Sequence, residues 1–186
     1  MKRWLSIALV AVGVGSVAHG LWIPAKAALA QVLLRDAWWR TLNGAAESKP
    51  WPWADTHPIA RMVIERTGSD FIVLAGSSGR VLAFAPGHLD HTPLPGDPGN
   101  CVITGHRDTH FTVLRDLRDG DVVRVQRPDG RWHSYVVEAH RVVDKSESWV
   151  TRSGGRKTLT LVTCYPFDAI VAGGRGRFVV VAKLTG

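Results

Sequence analysis

The sequence predicts an all-β barrel preceded by a helical N-terminal region. From residue 59 onward, short runs rich in Val, Ile, Leu, Thr and Phe alternate with turns rich in Gly, Pro, Asn and Asp. Helical periodicity is largely confined to the first 42 residues. Internal repeats are absent, and 186 residues suit one domain with an appendage.

The chain is basic, with 23 Lys and Arg against 16 Asp and Glu and a formal net charge of +7. The positive residues are scattered, and no helix-turn-helix, zinc-finger or RRM pattern occurs in the sequence. We therefore predict no nucleic-acid partner. The excess charge is interpreted as a solvated face attracted to anionic lipid or cell-envelope polymer.

Residues 1–24 predict a single-pass membrane anchor. The segment Leu5–Ile23 contains 19 residues without Asp, Glu, Lys or Arg, and about 20 apolar residues suffice to span a bilayer. Lys2 and Arg3 favour a cytoplasmic N-terminus, which places the rest of the chain outside the cytoplasm. A cleaved signal peptide is the alternative, because the small residues of Ala25–Ala30 offer cleavage sites.

Residues 25–58 predict a helix followed by a Pro/Trp linker. Five apolar residues recur at spacings of three and four: Leu29, Val32, Leu33, Ala37 and Trp39. Asn43 and Gly44 end this helix. Trp38 and Trp39 are expected either at a membrane surface or packed on the domain. The linker Lys49–Pro58 is expected to be extended and to lie across the barrel.

Residues 59–186 predict the barrel itself. A loop with a short helix is expected at Asp108–Leu117, and Pro128-Asp129-Gly130 predicts a hairpin turn. The predicted strands are Ala60–Glu65, Asp70–Leu74, Val81–Phe84, Cys101–Thr104, Asp121–Gln126, Trp132–Val143, a run from Thr158 to Cys164, and a closing strand that runs from Phe178 to Leu184.

Three reactive side chains fall at predicted strand ends. Cys164 ends the β-run that begins at Thr158, and Pro166 stops that strand. His106 follows the run that begins at Cys101, and Arg177 leads into the last strand. A thiol, an imidazole and a guanidinium placed in this way can meet at one rim of the barrel. The alternative is a buried cysteine that acts as a small apolar residue.

These residues resemble the signatures of sortases. The run Thr160–Cys164 resembles the TLxTC signature, while Gly105-His106 and Arg177 match the other two signatures in the same order. The runs Lys49–Asp55 and Gly105–Phe111 resemble the sortases of Gram-negative bacteria, called class GN or the marine proteobacterial type. The resemblance implies a closed sortase-type β-barrel.

The resemblance, which covers residues 49–184, also implies an activity. Sortases are transpeptidases that cleave a C-terminal LPXTG-like sorting signal of a secreted protein through a cysteine thioester and pass the acyl group to an amine. It implies that Cys164 is the nucleophile, His106 the acid/base, and Arg177 the substrate-binding, oxyanion-stabilising arginine. Arg175 is a rival for that last role, because it lies two residues away and shares the strand face of Arg177 if the strand extends back to it. The expected location is the inner membrane, with the catalytic domain on the periplasmic side.

Other residues near these motifs are further candidates. Asp108 and His110 are expected to support His106 or to contact substrate, and Thr163 either contacts substrate or fills the strand. His106 and His110 have the spacing of a zinc pair, but Arg107 stands where Glu is expected and no long helix follows. No acidic calcium loop is visible either. We predict no metal and no cofactor.

The chain contains two cysteines, Cys101 and Cys164, which invite a disulfide in an oxidising compartment. Cys101 begins the strand that leads to His106, however, so it is expected near the far end of that strand. We therefore expect a free thiol at Cys101. Two functional alternatives stay open: a catalytically silent peptide-binding barrel, and a cysteine protease that hydrolyses the acyl-enzyme with water.

Overall fold

The computed structural model describes residues 2–147, 151, 155–169, 171 and 173–185, without the side chains of residues 2, 5–12, 14, 15, 17 and 18. Its strands are β1 (Pro58–Ile64), β2 (Ser69–Ala75), β3 (Gly87–His88), β4 (Asn100–Thr104), β5 (Val122–Gln126), β6 (Trp132–Asp144), β7 (Thr158–Tyr165) and β8 (Gly176–Leu184). They form a closed barrel in the order β1-β2-β3-β4-β7-β8-β6-β5. The predicted β-barrel is confirmed.

Side-chain alternation along the strands builds the barrel interior. In β1, for example, Ala60, Met62 and Ile64 are fully buried, while the residues between them are half-buried. Leu159 and Leu161 of β7 and the residues opposite them on β8 join the same core. Because alternate residues of a strand face opposite sides, the other half of β7 points to the outer face of the barrel.

Most predicted strands are confirmed with small shifts at their ends, but the predicted strand Val81–Phe84 is wrong. The first two residues of this segment belong to the one-turn helix α2 (Gly79–Leu82). Ser78 caps the helix, since its side chain accepts a hydrogen bond from the Val81 backbone amide at 3.4 Å. The cap residue and the adjacent glycine override the β preference of the apolar residues that follow. The short helix at Asp108–Leu117 is confirmed as a 3₁₀ helix over His110–Asp116.

The N-terminal region forms one continuous helix, α1 (Lys2–Leu42), which continues through Pro24. Its C-terminal part packs on the barrel through Leu34 and Trp38, which contact Ile72 and Leu74 of β2. Among the residues whose side chains are described, no helix is both long enough and apolar enough to cross a bilayer. Most side chains of the segment Leu5–Ile23 lie outside the described set, so the membrane anchor stays a prediction.

The packed face of α1 differs from the predicted one. Leu29, Val32 and Trp39 are 58%, 63% and 65% exposed, whereas Leu34 and Trp38 are buried. The predicted face is therefore wrong in part, because the apolar periodicity of this segment fits two adjoining faces. In the linker, Trp51 packs edge-on against Phe84 beside α2.

Candidate active site

The site begins with two neighbouring parallel strands, β4 and β7. Thr104 of β4 pairs with Val162 of β7. The pairing continues one residue further, because the Gly105 amide donates to the Val162 carbonyl at 3.1 Å and the Thr163 hydroxyl donates to the Gly105 carbonyl at 2.7 Å. His106 lies two residues after Thr104, and Cys164 lies two residues after its register partner Val162. Residues two apart share a face of a strand, so both follow the outer-facing positions of their strands.

The third member comes from the antiparallel neighbour of β7. Arg177 of β8 is the register partner of Cys164. Opposed residues in an antiparallel pair point to the same side, with Cβ atoms about 4.5–5.5 Å apart. Cys164 and Arg177 are therefore neighbours on the outer face of the barrel.

These side chains border one groove. A cavity of about 230 Å³ is lined by Cys164, His106 and Arg177, and its walls include Thr163. The remaining lining residues are Ser77, Leu82, Thr104, Gly105 and Val162. His106 is exposed, while Cys164 and Arg177 are half-buried, so each is accessible to a molecule in the groove. Sequence reasoning missed Ser77 and Leu82, because Ser77 falls in a predicted turn and Leu82 in the segment that was predicted as a strand.

The surroundings distinguish the two candidate arginines. Arg177 donates from Nη1 to the carbonyls of Gly174 at 2.7 Å and Gly176 at 2.8 Å. Within the described part of the chain no carboxylate forms an ion pair with it. Arg175 instead forms a two-pronged salt bridge with Asp144 of β6, at 2.8 and 3.2 Å. Its side chain is not part of the lining of the groove.

The two candidates beside His106 lie outside the lining of the groove. The Asp108 side chain is 73% exposed and pairs with Arg107 at 3.1 Å. His110 packs its ring edge-on against Phe71, and its Nδ1 lies within hydrogen-bond distance of the Thr109 hydroxyl, at 3.2 Å. Burial, followed by the nearby His106, lowers the pKa of His110 from its usual value. The neutral imidazole is therefore favoured at this position.

Thr163 and Cys164 occupy opposite faces of β7. The Thr163 side chain is 2% exposed and its hydroxyl is bound to the Gly105 carbonyl, so it ties the Cys164 strand to the segment that carries His106. This contact fits the strand-filling role that was one of its two predicted roles. Contact between Thr163 and substrate stays a prediction.

The two cysteines differ in environment. Both are free thiols; Cys101 is buried in the barrel core at 1% exposure, whereas Cys164 is half-buried at the groove. Burial raises the pKa of the Cys101 thiol well above its usual range, which keeps it protonated and unreactive. Among the described residues, no group of three or more His, Cys, Asp or Glu side chains is arranged to hold a metal ion.

The fold and site together define a closed β-barrel with a thiol, an imidazole and a guanidinium in one outer groove. Residues 62–185 match the sortase domain family. The chain therefore belongs to the sortase family.

Relatives and solved structures support this placement. Sortase D of Bacillus subtilis (strain 168) is 29% identical over 121 residues, which cover 64% of this chain and 60% of that relative. The chain thus spans less than two thirds of that relative's length.

Two solved structures are also similar. A Clostridium perfringens sortase D5 transpeptidase has a TM-score of 0.64 and 27% identity, over 82% of this chain and 89% of that chain. Sortase C-1 from Actinomyces oris has a TM-score of 0.62 and 31% identity, over 69% of this chain and 73% of that chain.

Proposed function

We propose that the protein is a cysteine transpeptidase that cleaves an LPXTG-like sorting signal and transfers the acyl group to an amine. The observation that carries the proposal is the single groove lined by Cys164, His106 and Arg177. Membership of the sortase family supports the reaction class. The absence of Arg175 from the groove lining favours Arg177 as the substrate-binding arginine.

In the first half-reaction Cys164 Sγ attacks the carbonyl carbon of the scissile peptide bond. A C–S bond forms, the carbonyl oxygen becomes an oxyanion, and the thiol proton resides on His106. The tetrahedral intermediate collapses as the C–N bond breaks. His106, as imidazolium, gives its proton to the departing amine. The product is a thioester between Cys164 and the new C-terminal end of the substrate.

Arg177 supplies positive charge where the oxyanion develops. The carbonyls of Gly174 and Gly176 hold Nη1, which fixes the orientation of the planar guanidinium. The remaining N–H groups are suited to donate to the substrate carbonyl or the oxyanion. An arginine already neutralised by a carboxylate, as Arg175 is by Asp144, is less suited to this task.

In the second half-reaction an acceptor amine attacks the thioester. A new C–N bond forms as His106 takes a proton from the amine; the C–S bond then breaks, and the proton on His106 passes to the departing sulfur to regenerate the Cys164 thiol. Water in place of the amine gives hydrolysis, which is the protease alternative. A barrel that binds the peptide without forming a thioester is the other alternative.

The proposed partners follow from this reaction. The donor is a secreted protein that ends in an LPXTG-like signal, and the acceptor carries a free amine. We also propose that residues 1–24 anchor the protein in the inner membrane with the barrel on the periplasmic side. The apolar run Leu5–Ile23 and the basic Lys2 and Arg3 support this. The runs Lys49–Asp55 and Gly105–Phe111 support the Gram-negative type.

The test is product analysis with a peptide library that contains LPXTG with a randomised third position, with and without triglycine. Wild-type protein and the control Cys101→Ala are expected to join triglycine to the cleaved peptide. Cys164→Ala is expected to yield no cleavage. Cleavage by Cys164→Ala contradicts the proposal. Cleavage by the wild type without triglycine incorporation identifies water as the acceptor and contradicts the transpeptidase assignment.

A further inference from the structure

The residue after His106 is a buried arginine. The Arg107 side chain is only 6% exposed, yet its guanidinium is the centre of four hydrogen bonds. Nη1 donates to the Pro166 carbonyl at 2.9 Å, and Nη2 donates to the carbonyls of Ala169 at 2.8 Å and Val171 at 3.0 Å. Nε donates to Asp108 at 3.1 Å.

The three carbonyls belong to the loop that joins β7 to β8. Pro166 lies two residues after Cys164. The far end of the same loop contains Gly174, and β8 begins at Gly176; the carbonyls of both glycines accept hydrogen bonds from Arg177. The Arg107 guanidinium therefore hydrogen-bonds to the loop that connects the candidate nucleophile Cys164 to the candidate oxyanion-binding Arg177.

The backbone of Arg107 is itself held in place. The His106 carbonyl accepts from the Phe111 amide at 2.9 Å, and the Arg107 carbonyl accepts from the Thr112 hydroxyl at 2.6 Å. These bonds tie the segment after β4 to the 3₁₀ helix, whose Phe111 is fully buried. Arg107 thus connects a fixed segment that carries His106 with the loop that leaves Cys164.

A buried cation is costly unless hydrogen bonds compensate for the lost water. Here carbonyl oxygens provide most of that compensation, through charge-assisted bonds from a rigid, planar donor group. A lysine places one ammonium where Arg107 places three nitrogens, so it cannot reproduce all of these contacts.

We propose that Arg107 is a positioning residue that holds the β7–β8 loop, and with it Cys164 and Arg177, at a fixed spacing from His106. The inference rests on the proposed roles of Cys164 and His106. Arg107 is not among the residues that line the groove, so it acts through the groove residues rather than on the substrate. Loss of its contacts lets the loop move relative to His106 while the barrel stays closed.

The test measures how fast iodoacetamide alkylates Cys164 between about pH 5 and 10, with the adduct located by peptide mass spectrometry. The variants are His106→Ala, Arg107→Met, Arg107→Lys and the double variant His106→Ala/Arg107→Met. Arg115→Met is the matched control, because Arg115 lies on the 3₁₀ helix that follows Arg107, is 57% exposed and has a loose ion pair with Asp116 at 3.8 Å. Circular dichroism checks the fold of each variant.

Arg107→Met is expected to move the pH profile from that of the wild type toward that of His106→Ala, with Arg107→Lys between them. The double variant is expected to coincide with His106→Ala, because Arg107 acts through His106. With an LPXTG peptide, kcat of Arg107→Met is expected to fall by about 10- to 100-fold, the usual effect of misplaced reacting groups. Arg115→Met should match the wild type.

The outcomes separate this inference from the proposed function. If His106→Ala has the wild-type profile, the proposed pairing of His106 with Cys164 is wrong and both proposals fall. If His106→Ala shifts the profile but the folded Arg107 variants do not, only the inference about Arg107 is overturned. If Arg107→Met does not fold, Arg107→Lys alone is compared: a pH profile that does not move toward that of His106→Ala overturns the inference. The inference about Arg107 is also overturned if Arg115→Met changes the pH profile as much as Arg107→Met does. The loss of any arginine in this segment would then have the same effect.

Discussion

Cys164 and Arg177 are direct register partners across the antiparallel pair of β7 and β8. The strands are hydrogen-bonded over their whole length, so the spacing of thiol and guanidinium depends on the barrel itself rather than on a flexible loop. His106 reaches the same groove from the other side of β7, along the parallel strand β4. The central strand β7 therefore organises the site.

The first prediction separates the two arginines of β8. Arg177→Gln is expected to lower kcat about 100-fold, because a donor aimed at the developing oxyanion is lost. Arg175→Gln is the matched control. It removes an exposed ion pair with Asp144 and should leave kcat within about twofold, since such pairs contribute little. Steady-state kinetics with an LPXTG peptide make the comparison. A larger loss in Arg175→Gln than in Arg177→Gln would reverse the assignment.

The second prediction concerns the bond between β7 and the segment that carries His106. Thr163→Val keeps the shape of the buried side chain but leaves the Gly105 carbonyl without its hydroxyl partner. We expect a loss of about 1–3 kcal/mol in the free energy of unfolding, measured in urea. Thr185→Val removes a hydroxyl from an exposed position and should change this free energy by no more than about 0.5 kcal/mol. Equal effects of the two substitutions would contradict the prediction.

The third prediction tests the close approach of Gly105 to Phe111. A Cβ atom at Gly105 would lie 2.7 Å from Cγ of the fully buried Phe111 ring. Gly105→Ala is therefore expected to destabilise the protein by about 1–3 kcal/mol through overpacking. Gly79→Ala is the control, because a Cβ there meets nothing within 4 Å.

A second substitution checks the cause. Phe111→Leu in the Gly105→Ala background is expected to restore part of the loss, because the smaller side chain makes room for the new methyl group. Thermal unfolding of the single and double variants measures the coupling. If the losses from the two substitutions simply add, the steric explanation fails.

The fourth prediction concerns the pH dependence of stability. Burial and the nearby His106 lower the pKa of His110 in the folded state. The unfolded chain then binds more protons than the folded one below about pH 6.5, the ordinary value for histidine. The stability due to neutral His110 is present above this pH and is lost as pH falls through the lowered folded pKa. His110→Gln should lose less stability than the wild type between neutral and mildly acidic pH in urea unfolding.

An exposed histidine provides the control for this measurement. His91→Gln, in the loop before β4, is expected to follow the wild-type dependence. A wild-type dependence in His110→Gln as well would show that His110 does not cause the acid sensitivity.

Local chemistry made much of the fold predictable. The hairpin turn at Pro128-Asp129-Gly130 follows from residues that favour a reversal, and Gly130 indeed has a positive φ of 81°. The strand end at Cys164 follows from the nearby Pro166, and β7 ends at Tyr165. These preferences depend on residues that are close together in the chain, so they can be recognised from the sequence alone.

The rest depends on contacts between distant residues. The parallel pairing of Thr104 with Val162 joins residues 58 positions apart, and no spacing in the sequence specifies it. Arg107 is similar, because nothing in its local sequence shows that three carbonyls of the β7–β8 loop surround it. The predicted strand Val81–Phe84 failed for the opposite reason, since a local cap at Ser78 outweighed an apolar pattern.

The most direct measurement is the intact mass of the protein after brief incubation with an LPXTG peptide and no amine. We expect the wild type and Cys101→Ala to gain the mass of the N-terminal peptide fragment, on Cys164, and to lose it again when hydroxylamine is added. Cys164→Ala should gain nothing. An adduct that persists in Cys164→Ala, or peptide cleavage by the wild type with no hydroxylamine-sensitive adduct at any time, would contradict the proposed thioester mechanism.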